Sequence, residues 1–139
     1  MIEGHCLCNA VRIELADSSP KIEICQCDMC RRWGGAFYSA LAGKDFTIHG
    51  EDHVAVYRSS EWAERAFCTT CGSNLWFKFL PTGNRSFSAG LFDDAKGAGI
   101  EKEIFVDEAA SWTCIGGEHP KMTGEEVISE AEAAGFVFD

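Results

Sequence analysis

Cys25-Gln26-Cys27-Asp28-Met29-Cys30 places three thiols within six residues. A cluster this dense is not a packing device, because one buried Cys fills a gap as well as three. The spacing is C-x-C followed by C-x-x-C with a shared middle Cys. Three sulfurs on one tight turn can all face one metal ion. The fourth corner of a tetrahedral zinc site is then unassigned, and such a corner is what separates catalytic from structural zinc.

Working outward, Cys68-Thr69-Thr70-Cys71-Gly72 is a C-x-x-C-G turn after a strand-like stretch. Its Gly permits the positive φ of a tight turn. It offers two ligands, and Cys6-Leu7-Cys8 is the natural source of the other two. Cys6, Cys8, Cys68 and Cys71 together make a closed four-thiolate site of the structural kind. For Cys25, Cys27 and Cys30 two readings stay open. One is a three-thiolate open site, and the other is a second closed site completed by Cys114 or a His. Cys114 follows Trp112-Thr113 and otherwise reads as a small buried hydrophobe. His5, His49, His53 and His119 are scattered and read as surface or hydrogen-bonded residues, with His5 beside Cys6 the candidate outer-shell partner. Asp93-Asp94 reads as a turn or helix cap. No G-x-S-x-G and no phosphate-cradling Gly loop is present.

The eight Cys also permit a disulfide framework. Their pairing at metal-ligand spacing, with no basic or apolar leader in Met1–Cys6, favours reduced thiols and a cytoplasmic location. No apolar run approaches the roughly 20 residues of a membrane span. The formal net charge of −10 opposes non-specific binding to nucleic acid or to anionic membranes. A length of 139 residues, 46% of them hydrophobic, fits one domain, residues 1–139, with a real core.

Period-2 alternation dominates the first two thirds and predicts strands at 10–15, 21–24, 36–41 and 46–48, with a turn at Asp17-Ser18-Ser19-Pro20. A hairpin is predicted from 54–58 and 63–67, then strands at 75–79, 87–90 and 103–106. Arg31-Arg32-Trp33 predicts one helical turn stopped by Gly34-Gly35. Thr123 with Glu126 forms a capping-box signature for one C-terminal helix, and Gly135 is placed to stop it. The fold class is mainly β, with short antiparallel sheets around the thiol sites and a C-terminal helix. Exposed strand edges would suit a homodimer.

With these motifs assembled, the chain resembles the glutathione-dependent formaldehyde-activating (Gfa) family, which also includes centromere protein V. The resemblance rests on Gly4-His5-Cys6-Leu7-Cys8-Asn9-Ala10-Val11, on Cys25 to Arg32, and on Phe67-Cys68-Thr69-Thr70-Cys71-Gly72-Ser73. Gly90-Leu91-Phe92-Asp93-Asp94 and Trp112 fit the later part of the pattern. It implies an Mss4-like (β-tent) fold. It also implies a structural zinc at Cys6, Cys8, Cys68 and Cys71, and a more labile zinc at Cys25, Cys27 and Cys30. The activity implied is that of a carbon–sulfur lyase acting on glutathione or its formaldehyde adduct, S-hydroxymethylglutathione. Cys25, Cys27 and Cys30 would then be the catalytic cluster, with Arg31 and Arg32 placed to meet the carboxylates of a small-molecule thiol. The family commonly carries His where this chain has Gln26. His can donate a hydrogen bond or a proton, and Gln only the former. The competing function is a non-catalytic zinc-binding module or glutathione carrier.

Overall fold

The computed structural model describes residues 1–16 and 19–138, which divide into two compact units. The first comprises Met1–Lys21 and Ala40–Gly99, and the second Ile22–Ser39 and Ile100–Asp139. Eleven strands and two α-helices lie among the described residues, so the chain is mainly β as expected.

In the first unit, β1 (Ile2–His5), β2 (Arg12–Leu15) and β5 (Phe46–His49) form an antiparallel sheet in the order β1-β2-β5. The alternation in β2 explains it: Ile13 and Leu15 are fully buried, while Arg12 and Glu14 lie on the other face. An antiparallel run of β4 (Tyr38–Gly43), β9 (Asn84–Ser88), β8 (Asn74–Phe79), β7 (Ala63–Cys68) and β6 (Val54–Ser60) makes the larger sheet of this unit. Its core is apolar: Val11, Leu41, Leu75, Phe87 and Phe92 have at most 1% exposure, each contributing about 1.5–3 kcal/mol by leaving water. Arg65 is buried among these groups with its guanidinium 5.2 Å from the Phe77 ring centre.

The second unit contains β3 (Ile22–Cys25), β10 (Ile100–Ile104) and β11 (Lys121–Met122), with both neighbours of β10 parallel to it. Helix α1 spans Asp28–Gly34, and α2 spans Gly124–Ala133. The capping box of α2 is present: the Glu126 N–H donates to Thr123 Oγ1 at 3.2 Å, and the Thr123 N–H donates to Glu126 Oε1 at 3.3 Å. Gly135 follows the helix at φ 99°, the left-handed stop its position suggested.

Several boundaries differ from the sequence expectation. β1 and β11 were not expected. β1 has Gly at an inward position, where a Cβ would lie 2.7 Å from the Phe92 ring, so its inward face carries little hydrophobic signal. β11 is only two residues long. The strand expected at 103–106 runs instead over Ile100–Ile104, because Phe105 takes φ 56° and ends it. The strand expected at 87–90 begins earlier and stops at Ser88, where a 3-10 turn, Ala89–Leu91, takes over. The expected turn at 17–20 falls partly on Asp17 and Ser18, which lie outside the described residues.

Gly50 links β5 to the 3-10 turn Glu51–His53. It sits at φ 85°, and a Cβ there would lie 1.9 Å from the Ala10 carbonyl oxygen. His53, at the end of that turn, accepts the Thr69 N–H at 2.8 Å. Gly50→Ala is therefore expected to lose at least about 2 kcal/mol in urea unfolding, since the left-handed penalty alone is roughly 1–2 kcal/mol and the clash is with backbone.

Candidate metal centres

Cys6 and Cys8 sit on the turn that leaves β1. The turn is closed by the Cys6 N–H on Val11 O at 3.0 Å and by the Asn9 N–H on Cys6 O at 3.1 Å, with Asn9 at φ 66°. The Val11 N–H donates to Cys6 Sγ at 3.3 Å. The second turn starts where β7 ends. The Cys68 N–H meets Ser73 O at 3.0 Å, and the Gly72 N–H meets Cys68 O at 2.8 Å, with Gly72 at φ 78°. One residue joins the two turns: Ser73 Oγ accepts the Leu7 N–H at 3.0 Å and lies 3.2 Å from Cys71 Sγ.

The four sulfurs lie within 4.8 Å of one another. Cys6 Sγ and Cys8 Sγ are 3.7 Å apart, and Cys8 Sγ and Cys68 Sγ 3.8 Å. These are not disulfide distances, and all eight Cys are free thiols. Sulfurs placed 2.3 Å from a central zinc form a tetrahedron with edges of about 3.8 Å, so the donor set fits that ion. Their acidities diverge. The Ala10 N–H pulls the Cys8 thiol down, but desolvation and the thiols of Cys6, Cys71 and Cys68 outweigh it and lift it to about 11. The Ser73 hydroxyl, then the Ser73 N–H, brings Cys71 down to about 5.

Cys25, Cys27 and Cys30 form the second cluster, again with sulfurs within 4.8 Å of one another. Cys25 ends β3, paired in register with Ile104 of β10. The Gln26 N–H then donates to Ile104 O at 3.0 Å, which fixes the departure of the turn. Cys27 is the N-cap of α1: its sulfur accepts the Cys30 N–H at 3.4 Å. The helix therefore begins inside the cluster and not at Arg31. Cys is not a usual capping residue, so the sequence carries no capping signal here. Cys30 is buried, while Cys25 and Cys27 are half-buried. Hydrogen bonds from the Cys25 and Cys30 thiols, helped by the N–H groups of Cys30 and Met29, hold Cys27 far below the ordinary thiol range. Cys25 is driven far above it by its bonds to Cys27 and Cys30 and by burial.

The remaining candidates fall in different places. Cys114 is exposed and joins neither cluster, a correction to its reading as a buried hydrophobe or a fourth ligand. It lies in a stretch without strand or helix, and its own side chain is on the exposed side of that stretch. Arg31 pairs back onto Asp28 at 3.1 Å, and Arg32 reaches the Asp28 carbonyl at 3.4 Å. His5 Nδ1 is 2.7 Å from the Cys6 carbonyl oxygen. Asp93 and Asp94 open a 3-10 turn, as expected.

Sequence reasoning missed the groups behind the second cluster. Glu103 is buried, flanked by Gln26 and His119. Burial, the largest influence, raises Glu108, which also accepts a bond from the Asp28 N–H and feels the charges of Asp28 and Cys27. A lone Glu in a strand and a His in a loop carry no spacing signal that would have joined them.

A family model described as glutathione-dependent formaldehyde-activating enzyme matches residues 1–108. An uncharacterized lyase of Schizosaccharomyces pombe is 28% identical over 128 residues, covering 91% of this chain and 93% of that protein. A Halomonas elongata protein named for glutathione-dependent formaldehyde activation is 34% identical over 86 residues, 55% of each chain. A crystal structure of a Rhodobacter sphaeroides protein aligns with a TM-score of 0.57 at 22% identity, covering 71% of this chain and 99% of that one, a likeness of fold.

Ser73→Ala removes the hydroxyl shared by both turns of the four-sulfur cluster. The expected result is faster zinc loss to a chromophoric chelator and a metal affinity lower by about 10–100-fold, with Ser73→Thr closer to the parent protein.

Proposed function

The chain belongs to the glutathione-dependent formaldehyde-activating family, and on that premise we propose that it is a zinc-dependent carbon–sulfur lyase-like protein acting on glutathione or a related thiol–aldehyde adduct. The observation that carries the proposal is the unequal size of the two clusters: among the described residues, four sulfurs converge in one and three in the other. In this reading residues 1–139 form a single Gfa-like zinc-binding domain. Cys6, Cys8, Cys68 and Cys71 hold a structural zinc, and Cys25, Cys27 and Cys30 hold a second, more labile one. The names of the two relatives, one a lyase and one a formaldehyde-activating enzyme, support the same chemistry. Reduced thiols suit a cytoplasmic setting, and among the described residues no helix is long and apolar enough to cross a membrane.

Cys25, Cys27 and Cys30 would hold the zinc, which would supply the acidification of a substrate thiol near neutral pH. The chain's own groups do the rest. Cys27 caps α1, its sulfur accepting the Cys30 N–H at 3.4 Å, which aims it into the cluster. Cys30 anchors the turn to the buried side of α1. Arg31 and Arg32 are the cations nearest in sequence to the cluster. Arg31 can exchange its partly exposed pair with Asp28 for a substrate carboxylate at small cost, because such a pair contributes only about 0–1 kcal/mol.

One observation favours a second reading, a glutathione carrier or non-catalytic zinc module. Gln26 occupies the position where the family commonly has His, and its side chain is buried and committed to Glu103. It therefore supplies no proton to a bound substrate. Calorimetric binding of glutathione without turnover of S-hydroxymethylglutathione would select this reading.

Cys27→Ser is expected to lower zinc from two equivalents to one and to abolish adduct turnover while far-UV circular dichroism is unchanged. Full turnover by this variant would end the lyase proposal.

A further inference from the structure

The polar core of the second unit contains a string of three side chains that the ligand set does not use. Gln26 Nε2 donates to Glu103 Oε1 at 3.0 Å, and Glu103 Oε2 lies 3.0 Å from His119 Nε2. All three are shut away from water: Gln26 is 1% exposed, and the side chains of Glu103 and His119 are 8% and 2% exposed. The backbone runs along the same path. The Gln26 N–H meets Ile104 O at 3.0 Å, and the Glu103 N–H meets Pro120 O at 2.9 Å. Gln26 is the single residue between two of the three clustered Cys. It is thus held by its main chain and by its side chain at once.

A buried carboxylate is expensive unless every oxygen is met, and an apolar residue of the same size would fill this place at less cost. Glu103 is met on both oxygens. Its Oε1 accepts from Gln26 Nε2, so the Gln26 NH2 faces Glu103 and Oε1 faces away. Gln26 Oε1 is itself buried and takes no hydrogen bond from the protein, so nothing else orients that amide. His119 Nε2 in turn meets the other Glu103 oxygen at 3.0 Å and fixes the carboxyl group. The arrangement is one-directional, with His119 setting Glu103 and Glu103 setting Gln26.

We infer that Glu103 and His119 are positioning residues for the Cys25–Cys30 turn, acting through Gln26 to hold the three sulfurs in ligating geometry. The inference rests on the proposal that this turn binds metal, and it adds the residues that tune that binding. Outer-shell partners of this kind commonly alter metal affinity by about 10–100-fold when replaced.

Cobalt(II) in place of zinc, under reducing anaerobic conditions, reads the site directly without reference to turnover. The difference between the parent protein and Cys27→Ser isolates the spectrum of the second cluster. Glu103→Gln keeps the shape but lets the Gln26 amide turn over. The expected result is a second-cluster affinity lower by about 10–100-fold with shifted ligand-field bands, while the first equivalent binds as before. His119→Ala should move the same quantities in the same direction, and His119→Gln, which keeps an N–H donor, should recover part of the loss. Unchanged second-cluster affinity and bands in both Glu103→Gln and His119→Ala would overturn the inference while leaving the metal reading intact. A parent protein that takes up only one equivalent would overturn both. Should Glu103→Gln fail to fold, the His119 pair of variants decides by the same criteria.

Discussion

Four sulfurs held together by two turns, with Cys8 and Cys68 sixty positions apart in sequence, are the constraint on which the first unit depends. Each turn is built so that its sulfurs have one direction to face. Left-handed backbone at Asn9 and Gly72 tightens the turns, and the Ser73 hydroxyl binds one to the other. Without a cation, thiols of such different acidity crowd one place. With one, the free energy available is large: structural zinc in small domains contributes about 10–16 kcal/mol, against net stabilities of about 5–15 kcal/mol for whole domains. A term of that size would decide whether β1 stays in place. The smaller terms, such as the contact of Gly4 with Phe92, adjust a structure whose closure they do not control.

The second unit is made differently. Where the first is filled by Phe, Leu, Ile and Val, the second places Gln26 and Glu103 among its buried residues beside Ile24, Cys30 and Tyr38. A polar interior gives up hydrophobic stabilisation and gains direction, because each hydrogen bond fixes an angle that apolar contact leaves free. Direction is what a three-sulfur turn requires. Its three sulfurs converge with no fourth among the described residues, and Gln26, which stands between two of them, is tied to Glu103.

This difference also explains what could be read from the sequence. The thiol clusters were legible because ligand spacing is local: C-x-C and C-x-x-C survive translation into structure with little dependence on the rest of the chain. The strands around them were legible wherever one face was apolar, as in β2. The α2 capping box was legible because its partners stand three residues apart. Legibility failed where the signal was long-range or chemically unusual. A sulfur as N-cap hid the start of α1. A Gly on the inward face hid β1. Glu103 meets Gln26 through the pairing of β10 with β3, His119 meets Glu103 from a loop, and no short window of sequence contains all three. Cys114 was misjudged for the opposite reason: apolar neighbours suggested burial, but the stretch belongs to no strand or helix that could bury it.

The second unit is discontinuous, its two segments lying on either side of residues 40–99. During synthesis the turn with Cys25, Cys27 and Cys30 therefore emerges well before β10, which supplies Ile104 and Glu103. At roughly 5–20 residues per second, the roughly seventy intervening residues take about 4–15 s to add. Through that interval the three sulfurs have neither Ile104, the register partner of Cys25, nor the Glu103 carboxylate that holds Gln26. The four-sulfur site, whose last ligand is Cys71, has all its donors earlier. The order of translation thus assembles the four-sulfur set before the strand that backs the three-sulfur turn, which separates the maturation of two similar thiol sets in time.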